Sequence, residues 1–407
     1  MGAVTGQDHA ENFGSAFAGE IDFLPLVGGD PVVSPEARDA RQAELRKMMA
    51  GEFYGHIPAA PEEIHMTRVP LVAEAAERLE IEIKVGERRF IGDAALWLPR
   101  GASGPVPLIC GLDFIGPVGL MNLDEFPIDP EARISPRTKF GAPDNRMSET
   151  LRGVSAHQWP VSMMLDAGYG VMVAGYGSWV PDDRDVWKTH GVYPLLGLAE
   201  DARIGTISLW AWTIQRLVDA AETISEIDSS RVAVGGHSRL GKAALWAAAN
   251  DWRIGAVLAN NSGCGGSAPW SHPVGETLKQ MAARFPHWTI PQDDGQAAGL
   301  SFDQHHLLSL VAPRALYLAA ASSDIWADPM GSYLSLKEAS TFWNVGSSQS
   351  GDWPEARDVW DTHGRVVNGA IGYHMRPGGH DMLPYDWRNF IEFLGTVSTL
   401  NKKATGA

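Results

Sequence analysis

Apolar and polar positions alternate strictly over Leu79, Ile81, Ile83 and Val85; Gly86-Glu87 then turns the chain into Phe90–Leu98. A period of two around a tight turn predicts an antiparallel hairpin with one face in water. Downstream the pattern changes to short, almost wholly apolar runs separated by helix-period segments, the mark of a mainly parallel sheet covered on both faces. Strands are expected at Pro107–Phe114, Gly170–Tyr176, Val232–Gly236, Ala256–Asn260, Ala315–Ala321 and Ala370–Tyr373. The expected helices are Ser34–Met49, with Ser34-Pro35 as cap and first position, then Ala156–Ala167, Ile204–Ile224, Leu240–Asn250, Glu276–Ala283, Gln304–Val311, Gly331–Phe342 and Trp387–Leu400. Three long stretches, 115–150, 177–200 and 343–365, read as loops of the kind that build sites. Residues 1–33 read as an irregular arm, and 34–407 as one α/β domain of three layers.

Composition narrows the partners. The chain carries 33 basic and 49 acidic residues, a net charge of −16, which disfavours nucleic acid and anionic membrane. No apolar run is long enough to span a bilayer, and the N-terminal stretch lacks the basic and apolar regions of a signal peptide. Cys110 and Cys264 cannot make a disulfide framework; they leave room for one bridge, and the preferred reading is two unpaired buried thiols. Fifteen tryptophans suit a large core, with a few to spare for stacking on sugar rings at a cleft. The adjacent His305-His306 make a poor metal pair, so no metal and no cofactor is expected.

The candidate chemistry begins at Arg231-Val-Ala-Val-Gly-Gly-His-Ser238-Arg-Leu-Gly-Lys242. A β-branched strand, a Gly-Gly corner and an alanine-rich helix put Ser238 at the tip of a sharp turn, beside the open N–H groups of a helix start. That is a nucleophile elbow, although Leu240 fills the second place after the serine and glycine follows at 241. The same letters approach a phosphate-binding loop, but Ala243 stands where Ser or Thr should hold magnesium. Partners of the serine should lie just past later strands, in the order acid then histidine. Asp324 and Asp328 follow Ala315–Ala321, and His380 follows Ala370–Tyr373 behind Gly378-Gly379. Arg239 and Lys242 lie three apart at the helix start, where two cations oppose the dipole. Flanking the nucleophile, they suit an oxyanion or an acidic or hydroxyl-rich substrate.

With these pieces in place the chain resembles bacterial glucuronoyl esterases of carbohydrate esterase family 15. The likeness runs through Phe53-Tyr-Gly-His-Ile-Pro58, Gly111-Leu-Asp-Phe114, His237-Ser-Arg-Leu-Gly-Lys242, Asn260-Asn-Ser-Gly-Cys-Gly-Gly266 and Gly275-Glu-Thr277. It continues over Phe285-Pro-His-Trp288, Phe302-Asp-Gln-His-His-Leu307, Ala312-Pro-Arg314, Asp324-Ile-Trp-Ala-Asp-Pro329 and Gly379-His380. The resemblance implies an α/β-hydrolase fold and hydrolysis of the ester joining 4-O-methyl-glucuronic acid of glucuronoxylan to lignin alcohols. It implies Ser238 as nucleophile, His380 as base, Arg239 on the oxyanion, and Lys242, Glu276 and Trp326 on the uronic acid. A monomer, secreted or periplasmic, is expected on the same ground, with the cytoplasm as the alternative compartment. Many members carry a catalytic Glu where this chain has Asn261, so the acid must come from the later strand: Asp324 first, Asp328 in reserve. The rival readings are an acetylxylan or other carbohydrate esterase of the same fold, and an inactive carbohydrate-binding relative.

Overall fold

The computed structural model describes residues 21, 23, 32–135, 142–199, 201–291, 300–345 and 352–405, and in the last helix it describes side chains as far as residue 397. Most of the arm expected over 1–33 lies outside the described residues.

Ten strands among the described residues form one sheet in the order β1-β2-β3-β5-β4-β6-β7-β8-β10-β9. They are β1 Glu63–Leu71, β2 Ala76–Val85, β3 Arg88–Trp97, β4 Val106–Asp113, β5 Gly170–Gly175, β6 Ile227–His237, β7 Ile254–Asn260, β8 Ala315–Ala321, β9 Arg365–Asn368 and β10 Ile371–Arg376. Pairing is antiparallel from β1 to β5 and parallel from β5 through β4, β6, β7 and β8 to β10; β9 closes the edge antiparallel. The β2–β3 hairpin is the alternating segment of the sequence. β8 is buried at every position, as a strand covered on both faces must be.

The helices are α1 Pro35–Met49, α2 Thr206–Glu222, α3 Arg239–Asn250, α4 Leu278–Arg284, α5 Gln304–Ser309, α6 Pro329–Ala339, α7 Ala356–Thr362 and α8 Pro384–Thr405, with shorter turns between them. They sandwich the sheet. Side chains alternate faces along a strand, and β6 shows both layers. A Cβ on Gly235 would meet the Trp387 ring of α8, whereas one on Gly236 would meet the Leu240 carbonyl of α3. Trp179, Trp210, Trp212, Trp246, Trp360 and Trp387 are fully buried, so tryptophan here is mainly core. Cys110 and Cys264 are buried free thiols, and burial pushes both up to about 12.

Some elements depart from the pattern. β1 is an edge strand whose alternation is blunted by Val69-Pro70, and β9 has only four residues; neither stood out from the sequence. The helix expected over Ala156–Ala167 is broken: Ala156–Gln158 is one 3-10 turn and Val161–Asp166 a separate helix. Pro160 between them forbids a continuous ladder. The helix expected from Glu276 begins at Leu278, because Thr277 caps it and Gly275 has φ +73°. The supposed loop 343–365 contains α7.

The sheet positions the site by its register. His237 pairs with Asn260, Asn260 with Ala319, and Met375 with Ala320, so β6, β7, β8 and β10 end along one edge.

Candidate active site

Ser238 sits between β6 and α3 with φ +57° and ψ −125°, a strained conformation for a residue with a side chain. Its surroundings hold it there. Its N–H donates to the Asn260 carbonyl at 2.8 Å, and its own carbonyl accepts from Gly241 at 2.9 Å. The chain crosses itself so tightly that a Cβ on Gly236 would lie 2.2 Å from the Leu240 oxygen. Glycines 236 and 241 take the close approaches, which leaves the second place after the serine free to be leucine. The first-turn N–H of Arg239 has no intrahelical acceptor.

His380 stands on the loop after β10 with Nε2 2.9 Å from the Ser238 hydroxyl and Nδ1 2.6 Å from Asp324 Oδ2. A carboxylate at Nδ1 fixes the proton there and leaves Nε2 to accept from the serine. Asp324, buried on the loop after β8, also receives the Asn261 amide N–H on the same oxygen at 2.8 Å. Asn261 therefore supports the acid. Asp328 is turned away from His380: it pairs with buried His272 at 2.7 Å and caps α6 through the Gly331 N–H at 2.8 Å. Of the two acids, the geometry puts Asp324 against His380.

The other wall centres on Arg239. Its guanidinium pairs with Asp182 and lies 4.6 Å from the Trp288 ring centre, 4.9 Å from Phe285 and 5.5 Å from Phe114. Asp182 is fully buried and accepts from His287 and the Trp288 indole at 2.8 Å and from the Tyr176 hydroxyl at 2.9 Å. Burial alone would raise its pKa. Arg239, then His287 and Trp288, outweigh that and hold the carboxyl well below the usual carboxylate range. The Arg239 Nε–H is buried without a hydrogen-bond partner among the described residues. Lys242 donates from the same helix face to the Ser262 carbonyl. Burial lowers its pKa, and Glu276 opposes that shift.

Ser238, Arg239, Lys242, Glu276, Trp326 and His380 share one cleft of about 230 Å³, with Asp324 behind the histidine. Trp326 is 40% exposed at its mouth, under the Arg284 guanidinium at 4.5 Å. The Glu276 N–H donates to the Trp326 carbonyl at 2.9 Å, and Gly275 leaves no room for a side chain against that backbone. All seven site residues expected from the sequence thus come together. Asp182, Arg284 and the contacts of Phe285 and Trp288 were not expected. Asp182 lies in a stretch flagged as site-building, and Phe285 and Trp288 in a motif noted without a role. Among the described residues no His, Cys, Asp or Glu cluster could hold a metal, and no helix is long and apolar enough to cross a membrane.

Comparison with known proteins gives this geometry a context. The family model described as "Glucuronyl esterase, fungi" matches residues 161–346. Carbohydrate esterase MZ0003, from an unknown prokaryotic organism, is 33% identical over 389 residues, 91% of this chain and 88% of that relative. A promiscuous CE15 esterase from a marine bacterial metagenome superposes with a TM-score of 0.81 at 32% identity, covering 94% of this chain and 98% of the other. A glucuronoyl esterase from Solibacter usitatus superposes with a TM-score of 0.79 at 31% identity, covering 93% and 98%. The elbow serine, the α/β-hydrolase sheet and these full-length likenesses agree: the chain belongs to carbohydrate esterase family 15, the glucuronoyl esterases.

Proposed function

We propose that this protein hydrolyses esters of glucuronic and 4-O-methyl-glucuronic acid with Ser238 as nucleophile, His380 as general base and Asp324 as the acid of the triad. The observation that carries the reading is the line Asp324–His380–Ser238, at 2.6 and 2.9 Å, opening on a cleft with two buried cations. The family and its named relatives support the substrate class.

The Ser238 proton passes to His380 Nε2 as the oxygen attacks the C6 carbonyl of the uronate. The charge that develops on that carbonyl oxygen meets the Arg239 side chain and the first-turn N–H groups of α3, donors held in place before the reaction begins. Asp324 stabilises the imidazolium. His380 then protonates the leaving alcohol, the C6–O bond breaks, and water, deprotonated by the same imidazole, clears the acyl-enzyme. Lys242 and Glu276 suit the sugar hydroxyls, and Trp326 offers a ring face to the pyranose. The natural ester in this reading joins glucuronoxylan to a lignin alcohol. In this reading the enzyme is a monomer that acts outside the cytoplasm, where such a polymer is met.

The deciding experiment compares hydrolysis of benzyl glucuronate with that of an acetyl ester. A kcat/KM for the glucuronate higher by about 10² or more fits a site that reads the sugar. Equal values, or a preference for acetyl, would give the site to another carbohydrate ester.

A further inference from the structure

We propose that Arg376 is a positioning residue for His380, acting through the backbone of the loop that carries the imidazole; this rests on the reading of His380 as general base. His380 needs such a device. Its side chain is 42% exposed, and the His237 ring, 4.5 Å away centre to centre and tilted by 44°, covers only part of it. Its loop leaves β10 through Pro377 and Gly378, the latter at φ +103°, and crosses to Asp381 outside the sheet ladder. Arg376, the last residue of β10, is only 3% exposed and turns its guanidinium under this loop.

The contacts bracket the histidine. Nη1 donates to the Pro377 carbonyl at 3.2 Å and to the Gly379 carbonyl at 3.4 Å. Nη2 donates to the Asp381 carbonyl at 2.6 Å. One planar group thus grips the chain on both sides of His380. Nε donates to the two Asp386 oxygens at 3.0 and 3.1 Å, and Asp386 is fixed in turn by His374 at 2.8 Å and by the Leu383 N–H at 2.8 Å. The rigid fork of arginine can serve the carboxylate and three carbonyls at once. A lysine at this place keeps the charge beside Asp386 but cannot span them. From the far side, the Ser323 N–H donates to the Gly378 carbonyl at 2.9 Å, tying the histidine loop to the residue before Asp324.

The test is a double-mutant cycle on the whole chain, read as kcat and KM on benzyl glucuronate. Arg376→Lys should lower kcat by roughly 10–100-fold, the scale of an ångström of misplacement in a catalytic group, with KM within about twofold. In a His380→Ala background the same substitution should change the residual rate by less than about twofold, because no imidazole remains to be positioned. Equal losses in both backgrounds would make Arg376 a general structural residue. An unchanged kcat in the single variant would deny it any role. If Arg376→Lys does not fold, Arg376→Gln removes the fork without leaving a buried cation unpaired, and Asp386 keeps His374 and the Leu383 N–H; a kcat loss that again vanishes without His380 supports the proposal, and one that persists overturns it. A healthy His380→Ala enzyme would remove the triad reading, and this proposal with it.

Discussion

The two walls of the cleft are built differently. On one, Ser238, Asp324 and His380 stand just past the ends of β6, β8 and β10, and neighbouring strands in register bring them together. On the other, Arg239 meets Asp182 from the loops after β5 and Phe285 and Trp288 from the segment after α4, whose His287 bonds Asp182. The first wall follows a topological rule, since parallel strands deliver their carboxyl ends to one edge. The second depends on where long loops return, which packing and a buried ion pair decide. One wall should therefore fail in rate when damaged, and the other in stability as well.

The largest effect should fall on the first wall. Ser238→Ala and His380→Ala should each cut kcat by about 10⁴ or more while the melting temperature stays within a few degrees. Near-normal turnover in either folded variant would remove the triad.

Asp324→Asn should lower kcat by about 10²–10⁴, as the imidazolium loses its counter-charge. Asp328→Asn should do the reverse, sparing kcat and lowering the melting temperature, since it unpairs buried His272. A crippled Asp328→Asn enzyme beside a healthy Asp324→Asn one would exchange their roles.

On the second wall, Arg239→Ala should cost about 10²–10³ in kcat. Asp182→Asn should lower stability by about 3–5 kcal/mol, measured by denaturant unfolding, because it leaves a buried guanidinium without its anion. Its pH signature has a definite sign. A depressed carboxyl stabilises the fold above its unfolded pKa of about 3.9, and that stability is lost as pH falls from there toward the lower folded value. The variant should flatten the acid side of the stability curve; an unchanged curve would mean that Asp182 does not anchor this wall.

Lys242→Ala should act mainly on KM, and only for glucuronate esters. Equal losses on an acetyl ester would show that Lys242 does not read the sugar. The smallest effect is expected of the thiols: with both pushed up to about 12 by burial, Cys110 and Cys264 should escape alkylation at pH 8 in the native protein and react after unfolding.

Much of the frame was legible because it rests on short-range rules. The β2–β3 hairpin showed its period of two, β8 its unbroken apolar run, and Ser238 the glycines that its turn requires. Elements governed by competition were harder. Pro160 split one helix, Val69-Pro70 masked the alternation of β1, and β9 was too short to give a period. In the site, Arg239 was visible as a cation flanking a nucleophile, but its partner Asp182 is 57 residues away with no spacing to betray it. Arg376 lay past the strand expected over Ala370–Tyr373, and nothing local shows that it ends β10 or that its fork turns back under the next five residues.

The sequence by itself determined a mainly parallel α/β sheet, a serine at its elbow, an acid and a histidine past later strands, and the absence of a carboxylate at position 261. Only the tertiary structure shows which of Asp324 and Asp328, four residues apart on one loop, faces His380. The 3-10 turn Ile325–Ala327 and the left-handed Asp328, at φ +48°, aim the first carboxylate at His380 and the second at His272. It also shows where the Asn261 amide goes: it donates to the Asp324 carboxylate. Period and turn chemistry act between neighbours in the chain, whereas the aim of a carboxylate depends on which distant donors the folded chain brings within about 3 Å.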